Sequence, residues 1–171
     1  NGILRALKKM KAKIDIKNKR FLNNEIVADL NIEYSKLEGV DLDKEMAKLM
    51  IDEYPILSIA ASFAETPSIF RGLKELKIKE SNRLELIYQN LIRCGVRSEV
   101  KDDDLYIYPS KEYSIKDSNI ITKFDHRIAM AFSVMGTRLN ENLKILESEC
   151  INTSFPNFFK SFNSVGGKLI E

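Results

Sequence analysis

Two short strings hold most of the side chains that could do chemistry. Lys79-Glu80-Ser81-Asn82-Arg83 sets a carboxyl between two cations, just ahead of a helical apolar stripe that begins at Leu84. Ser81 is of a type that caps helices, and the free N–H groups of a first turn attract anions. Lys79 and Arg83 would strengthen that attraction, and Glu80 beside a bound anion could move a proton. The same residues would also make an ordinary solvated helix start. Asp125-His126-Arg127 opens a strongly apolar helix, Ile128 to Met135. An arginine there opposes the helix dipole unless an anion or a carboxylate compensates, and its planar fork suits phosphate or carboxylate. His126, the one histidine of the chain, fits a structural role as well as a functional one. In Asp52-Glu53-Tyr54-Pro55, Asp52 either caps the buried helix that follows or serves as a base whose pKa is set by nearby cations.

The periodicity supplies elements to position these groups. Ile3, Leu4, Leu7 and Met10 recur at helical spacing, and Ile26 to Tyr34 alternates apolar and polar as in a half-buried strand. Tyr54 to Ala64 reads as a mostly buried helix opened by Pro55, and Ser68 to Phe70 as a short strand ending at Gly72. Ser81 to Cys94 is a helix with the stripe Leu84, Ile87, Tyr88, Leu91, Ile92 and a left-handed cap at Gly95. Val96–Val100 and Leu105–Tyr108 form a hairpin around Asp102-Asp103-Asp104. Asp125 to Leu139 is a helix, Leu143 to Leu146 a strand, Phe155 to Val165 a helix and Lys168 to Ile170 a strand. Leu7–Ile16, Leu91–Val100 and Phe162–Glu171 each read as helix end, tight turn and strand, a weak repeat of one unit. The first copy lacks most of an upstream half, and an initial Asn suggests a fragment.

Composition narrows the classes. The 171 residues are 44% apolar and 30% charged, with a net charge of +2, which suits one globular domain rather than a dedicated nucleic-acid binder. The basic stretch from Arg5 to Arg20 reads as the solvated face of a helix. No apolar run is long enough to span a bilayer, so no membrane partner is expected. Two unpatterned cysteines and one histidine make a zinc site improbable and suggest a reducing, cytoplasmic setting. No phosphate-cradling glycine loop and no Gly-x-Ser-x-Gly elbow is present.

Met50 to Leu57, Gly72 to Leu84 and Asp125 to Met130, followed by Thr153-Ser154-Phe155-Pro156, resemble in order the C-terminal part of EPSP synthase. The wording is most similar to the bacterial subclass called class II. The resemblance implies an α+β fold of repeated βαβαββ units, with helices inside and sheets outside. Residues 1–171 would be most of one domain of two, lacking its start and the partner domain. It implies transfer of the enolpyruvyl group of phosphoenolpyruvate to the 5-hydroxyl of shikimate 3-phosphate, with no cofactor and no metal. By the same resemblance Asp52 is a candidate base near the shikimate hydroxyls, and Glu80 the acid that protonates the phosphoenolpyruvate methylene. Glu75 and Lys79 would bind the shikimate substrate, Arg83 and Arg127 would clamp phosphoenolpyruvate, and His126 would sit in the site. Asn82 stands where Asp is usual, and Thr153 where some members have a binding lysine, so no lysine is assigned there. The alternatives are a non-catalytic remnant or split-gene product, and the related transferase acting on UDP-N-acetylglucosamine.

Overall fold

A computed structural model describes residues 2–170. The chain opens with helix α1 (Gly2–Lys9), which buries Ala6, and leads into the hairpin β1 (Lys13–Leu22) and β2 (Glu25–Glu33). After the short strand β3 (Asp41–Leu42), Asp43 caps α2 (Lys44–Met50) by accepting from the N–H groups of Glu45 and Met46. A single 3-10 turn, Ile51–Glu53, joins α2 to α3 (Tyr54–Ser62). Pro55 sits in the first turn of α3, where its missing N–H costs nothing. Strand β4 (Ser68–Phe70) follows, then a 3-10 segment, Lys74–Ile78.

Helix α4 (Arg83–Arg93) buries Leu84, Ile87 and Leu91 at helical spacing. It feeds the hairpin β5 (Arg97–Lys101) and β6 (Asp104–Tyr108). Then come β7 (Asn119–Ile120), α5 (His126–Gly136), β8 (Lys144–Ile145), α6 (Ile151–Ser154) and α7 (Phe158–Ser164). One sheet has the order β3-β4-β6-β5, with β3 and β4 parallel and the rest antiparallel; β1-β2 and β7-β8 are separate pairs. Helices α3 and α5 pack on one another in the centre, and α3 also meets β6. Their apolar residues are buried nearly all round, so these helices lie inside and the sheets outside.

The repeat is real in backbone terms. Lys11, Gly95 and Gly166 all have positive φ, at 66°, 80° and 100°. In each case two N–H groups turn back to the helix: Lys11 to Lys8 and Ala12 to Leu7, Gly95 to Ile92 and Val96 to Leu91, Gly166 to Asn163 and Gly167 to Phe162. That is the Schellman cap, used three times.

Several expectations are corrected. The strand expected to close the first repeat at Ile16 is there, but it runs on through the basic residues to Leu22, so Lys17 to Arg20 face solvent from a strand and not from a helix; Ile14 and Ile16 pair across the hairpin with Ile32 and Leu30. The strand around Ile26 is there, but its apolar side is exposed rather than half-buried. Pro156 falls between two helices, α6 and α7, where one was expected. Lys168–Ile170 forms no strand; the Asn163 side chain bonds both the N–H and the carbonyl of Leu169 in place of a ladder.

Candidate functional site

The three candidate segments meet around one guanidinium. Arg83, the first residue of α4, is fully buried. Its Nε donates to Asp125 Oδ2 at 2.8 Å, its Nη1 to Asp52 Oδ1 at 2.8 Å, and its Nη2 to Glu80. Lys79 Nζ lies 3.4 Å from Asp52 Oδ1. Arg127 Nη1 donates to the Asp52 carbonyl at 3.1 Å. Three cations and three carboxylates are therefore interlocked across sequence separations of 31, 42 and 75 residues.

Local folding explains the placement. Asn82, not Ser81, caps α4, accepting from the Glu85 N–H at 3.2 Å. Ser81 is freed to donate to Asp125 at 2.8 Å. Asp125 caps α5 through the N–H groups of Arg127 and Ile128 with one oxygen and holds Arg83 and Ser81 with the other. Its carboxylate offsets the helix dipole, so Arg127 is tolerated in the first turn. Asp52 makes no cap to α3; it sits on the 3-10 turn with its side chain toward the cations.

The electrostatics follow. Burial pushes the Asp52 carboxyl up, but the charges of Arg127, Lys79 and Arg83 outweigh it and hold it below its ordinary value. Burial likewise raises Asp125, while hydrogen bonds from Arg83 and Ser81 bring it below its ordinary value. Both are carboxylates at neutral pH. Loss of Asp125, the one fully buried partner, would leave the guanidinium with only the partly exposed Asp52 and Glu80, at a cost of about 3–5 kcal/mol.

Exposure divides the cluster into a floor and a rim. Asp125 and Arg83 side chains are 0% exposed, whereas those of Glu80 and Asp52 are 52% and 40% exposed. Arg83 thus meets a ligand only if Glu80 or Asp52 gives way, a constraint on its expected clamping role. Glu75 is exposed on the Lys74–Ile78 segment and has no hydrogen-bond partner among the described residues. His126 opens α5, half-buried, and its ring makes no hydrogen bond among the described residues. The Thr153 hydroxyl donates to the carbonyl of Cys150, the residue just ahead of α6. Asp125 was missed by sequence reasoning as a site residue: its capping position was legible, its grip on Arg83 was not. Among the described residues no group of three or more His, Cys, Asp or Glu side chains could hold a metal ion.

The EPSP synthase (3-phosphoshikimate 1-carboxyvinyltransferase) family model matches residues 1–162. The chain belongs to the EPSP synthase family. It is 43% identical over 168 residues to a 3-phosphoshikimate 1-carboxyvinyltransferase of Paramagnetospirillum magneticum, covering 98% of this chain and 38% of that protein. A relative of the same name from Alkaliphilus oremlandii is 41% identical over 159 residues, covering 92% of this chain and 36% of its own length. A solved EPSP synthase structure from Acinetobacter baumannii superposes with a TM-score of 0.91 at 32% identity, over 98% of this chain and 39% of that one. The mixed helix-and-strand architecture is that of an EPSP synthase, and the chain spans about two-fifths of the length of these relatives. No helix among the described residues is long and apolar enough to cross a membrane.

Proposed function

We propose that these 171 residues supply one wall of an enolpyruvyl transferase site, completed by the remaining part of an EPSP synthase polypeptide. The reaction is transfer of the enolpyruvyl group of phosphoenolpyruvate to the 5-hydroxyl of shikimate 3-phosphate. The observation that carries it is the convergence of Asp52, Lys79, Glu80, Arg83 and Arg127 in a chain of this family. The hydroxyl oxygen bonds to C2 of phosphoenolpyruvate as Asp52 takes its proton, and Glu80, entering the step protonated once Arg83 turns to substrate, gives a proton to the methylene. The bond from C2 to the phosphate oxygen then breaks, the new methyl group returns a proton to Glu80, and phosphate leaves with the proton that Asp52 took.

The charges favour a resting and a loaded state. Without ligand the three cations neutralise the three carboxylates. When Lys79 and Arg127 turn to the phosphate and carboxylate of the substrates, Asp52 loses two of the three cations that keep its pKa low and becomes a stronger base. Preorganised cations then stabilise the charge that develops on the departing phosphate. Glu75 and Lys79 face the shikimate substrate in this reading, and His126 lines the site.

The test is phosphate release from phosphoenolpyruvate plus shikimate 3-phosphate, with the chain alone and with the separately produced remainder of an EPSP synthase. The expected result is no turnover alone and steady turnover on mixing. Turnover by the chain alone would overturn the one-wall reading. A complex that forms yet stays inert would favour the non-catalytic remnant. Turnover only with UDP-N-acetylglucosamine would move the chain to the other transferase.

A further inference from the structure

The loop that delivers Asp125 is held in an unfavourable shape. Lys123 and Phe124 both have positive φ, 51° and 58°. The Thr122 carbonyl accepts from the Asp125 N–H at 3.0 Å, giving a turn of the type I′ pattern. That turn favours Asn-Gly, and left-handed backbone at non-glycine residues persists only when the surroundings over-determine it. One oxygen of Glu147 does this: Oε2 accepts from Thr122 N–H at 3.3 Å, Thr122 Oγ1 at 3.0 Å and Lys123 N–H at 3.2 Å. Glu147 can reach because it leaves the parallel pair β7-β8 beside the turn, itself in left-handed backbone at φ 48°. Leu146 bonds across the same pair, its N–H donating to Ile120 at 2.9 Å, and its carbonyl lies 2.9 Å from the buried Thr122 hydroxyl, whose one proton serves either this carbonyl or Glu147 Oε2. The path from Glu147 to the site is thus one carboxylate, one strained turn, Asp125 and the Arg83 guanidinium.

We propose that Glu147 is a positioning residue, whose carboxylate clamps the turn at residues 122–125 so that Asp125 is presented to Arg83. It touches no candidate substrate group; it acts through Asp125. Its consequence for turnover rests on the proposed reading of Arg83, but the readouts below use no ligand, so failure of either leaves the other standing.

The experiment is NMR on the full chain, following exchange of the Arg83 Nε–H with water and of the backbone N–H groups of 122–125. In Glu147→Ala both should exchange about 10-fold faster or more, while β5-β6 amides stay unchanged, as expected of local opening. Adding Lys123→Asn and Phe124→Gly relieves the turn at two exposed positions. The triple variant should return Arg83 Nε–H exchange to within about 3-fold of the parent. Glu147→Gln, which keeps an acceptor but no charge, should lie between. Unchanged Arg83 exchange in Glu147→Ala, or a loss that the relieved turn fails to restore, would overturn the proposal. A Glu147→Ala chain that does not fold, and is not rescued by the same pair, overturns it too.

Discussion

The two hairpins follow their helices through the same cap and then diverge. In β5-β6 the inward residues Ser98, Leu105 and Ile107 are buried, and β4 pairs along the other edge of β6. In β1-β2 the cross-strand pairs Ile14–Ile32, Ile16–Leu30 and Phe21–Ile26 also share one face, with charged residues on the other. Yet Phe21 is 78%, Ile26 69% and Ile32 62% exposed, and β2 has no second partner strand among the described residues. A sheet needs a third layer or strand to bury its apolar face. The same unit is therefore a finished core element in one place and leaves its apolar face uncovered in the other.

The turns differ as well. Asn23 and Asn24, both left-handed, close the first hairpin. In the second, Asp103 accepts from Leu73 N–H at 2.7 Å, Asp104 accepts from Gly72 N–H at 2.8 Å, and Asp102 accepts from Lys77 Nζ at 2.9 Å. These bonds fix both ends of the Lys74–Ile78 segment that precedes Lys79 and Glu80. The second hairpin thus supports both the core and the candidate site.

The largest expected contrast is a buried charge. Ile107→Lys places an ammonium in the core beside α3 and should cost about 3–5 kcal/mol or prevent folding, by the penalties for lost packing and buried polarity. Ile32→Lys in the first hairpin should change stability of the chain by no more than about 0.5 kcal/mol. Urea unfolding of both variants decides it; equal losses would show that the two faces are equally covered in solution.

A smaller effect belongs to the turns. Asp104→Ala leaves the Gly72 N–H without its acceptor and takes from Arg71 the weaker of its two carboxylate partners, and should cost about 1–3 kcal/mol. In the assembled enzyme it should also lower turnover, since the segment before Lys79 loosens. Asn23→Ala should leave turnover unchanged. A turnover assay in which both behave alike would sink the claim that only the second turn serves the site.

Acid should separate the regions again. The Asp125 carboxyl is held below its ordinary value in the folded state, so its contribution is complete above the unfolded value near about 3.9 and is lost as pH falls through the lower folded value. Asp29, on the first hairpin, is lowered by Asn18 and Arg20 in the same direction, but its contacts are exposed and screened by salt. Unfolding followed from pH 5 to pH 2 in high salt should keep its slope in Asp29→Asn and lose much of it in Asp125→Asn. Matching slopes in the two variants would place the acid-sensitive bond elsewhere.

Much of this was legible because local chemistry agreed with tertiary need. Pro55 and the apolar run behind it, the stripe from Leu84 to Leu91, Gly95 and the acidic turn each specify their element by themselves. The site strings were legible as types and spacing. What the sequence hid was which group meets which: Arg83 reads as a ligand-facing cation, and only the fold shows it buried under Asp52, Glu80 and Asp125. Ser81 and Asn82 are both good caps, and the choice between them is made by Asp125, more than forty residues away. The start of β1, up to Ile16, was legible as the strand of the first repeat, but its continuation to Leu22 was not. Past Ile16 the basic residues run on without apolar alternation, across a break in register between Lys17 and Arg20.

The smallest expected effect tests whether the two hairpins really share one cap. Lys11 and Gly95 occupy the same position of the Schellman motif, with φ 66° and 80°. A side chain in this region carries a penalty of about 1 kcal/mol that glycine avoids. Lys11→Gly should therefore stabilise the chain by about 0.5–1 kcal/mol, part of the gain being offset by the freer unfolded chain. The reverse change is not symmetrical. A Cβ at Gly95 would run into the Ser114 carbonyl and backbone, so Gly95→Ala should cost more than the conformational penalty alone. Thermal unfolding of the two single variants measures both signs. A stabilising Gly95→Ala, or a Lys11→Gly that destabilises, would break the equivalence of the caps and with it the argument that the hairpins are copies of one unit.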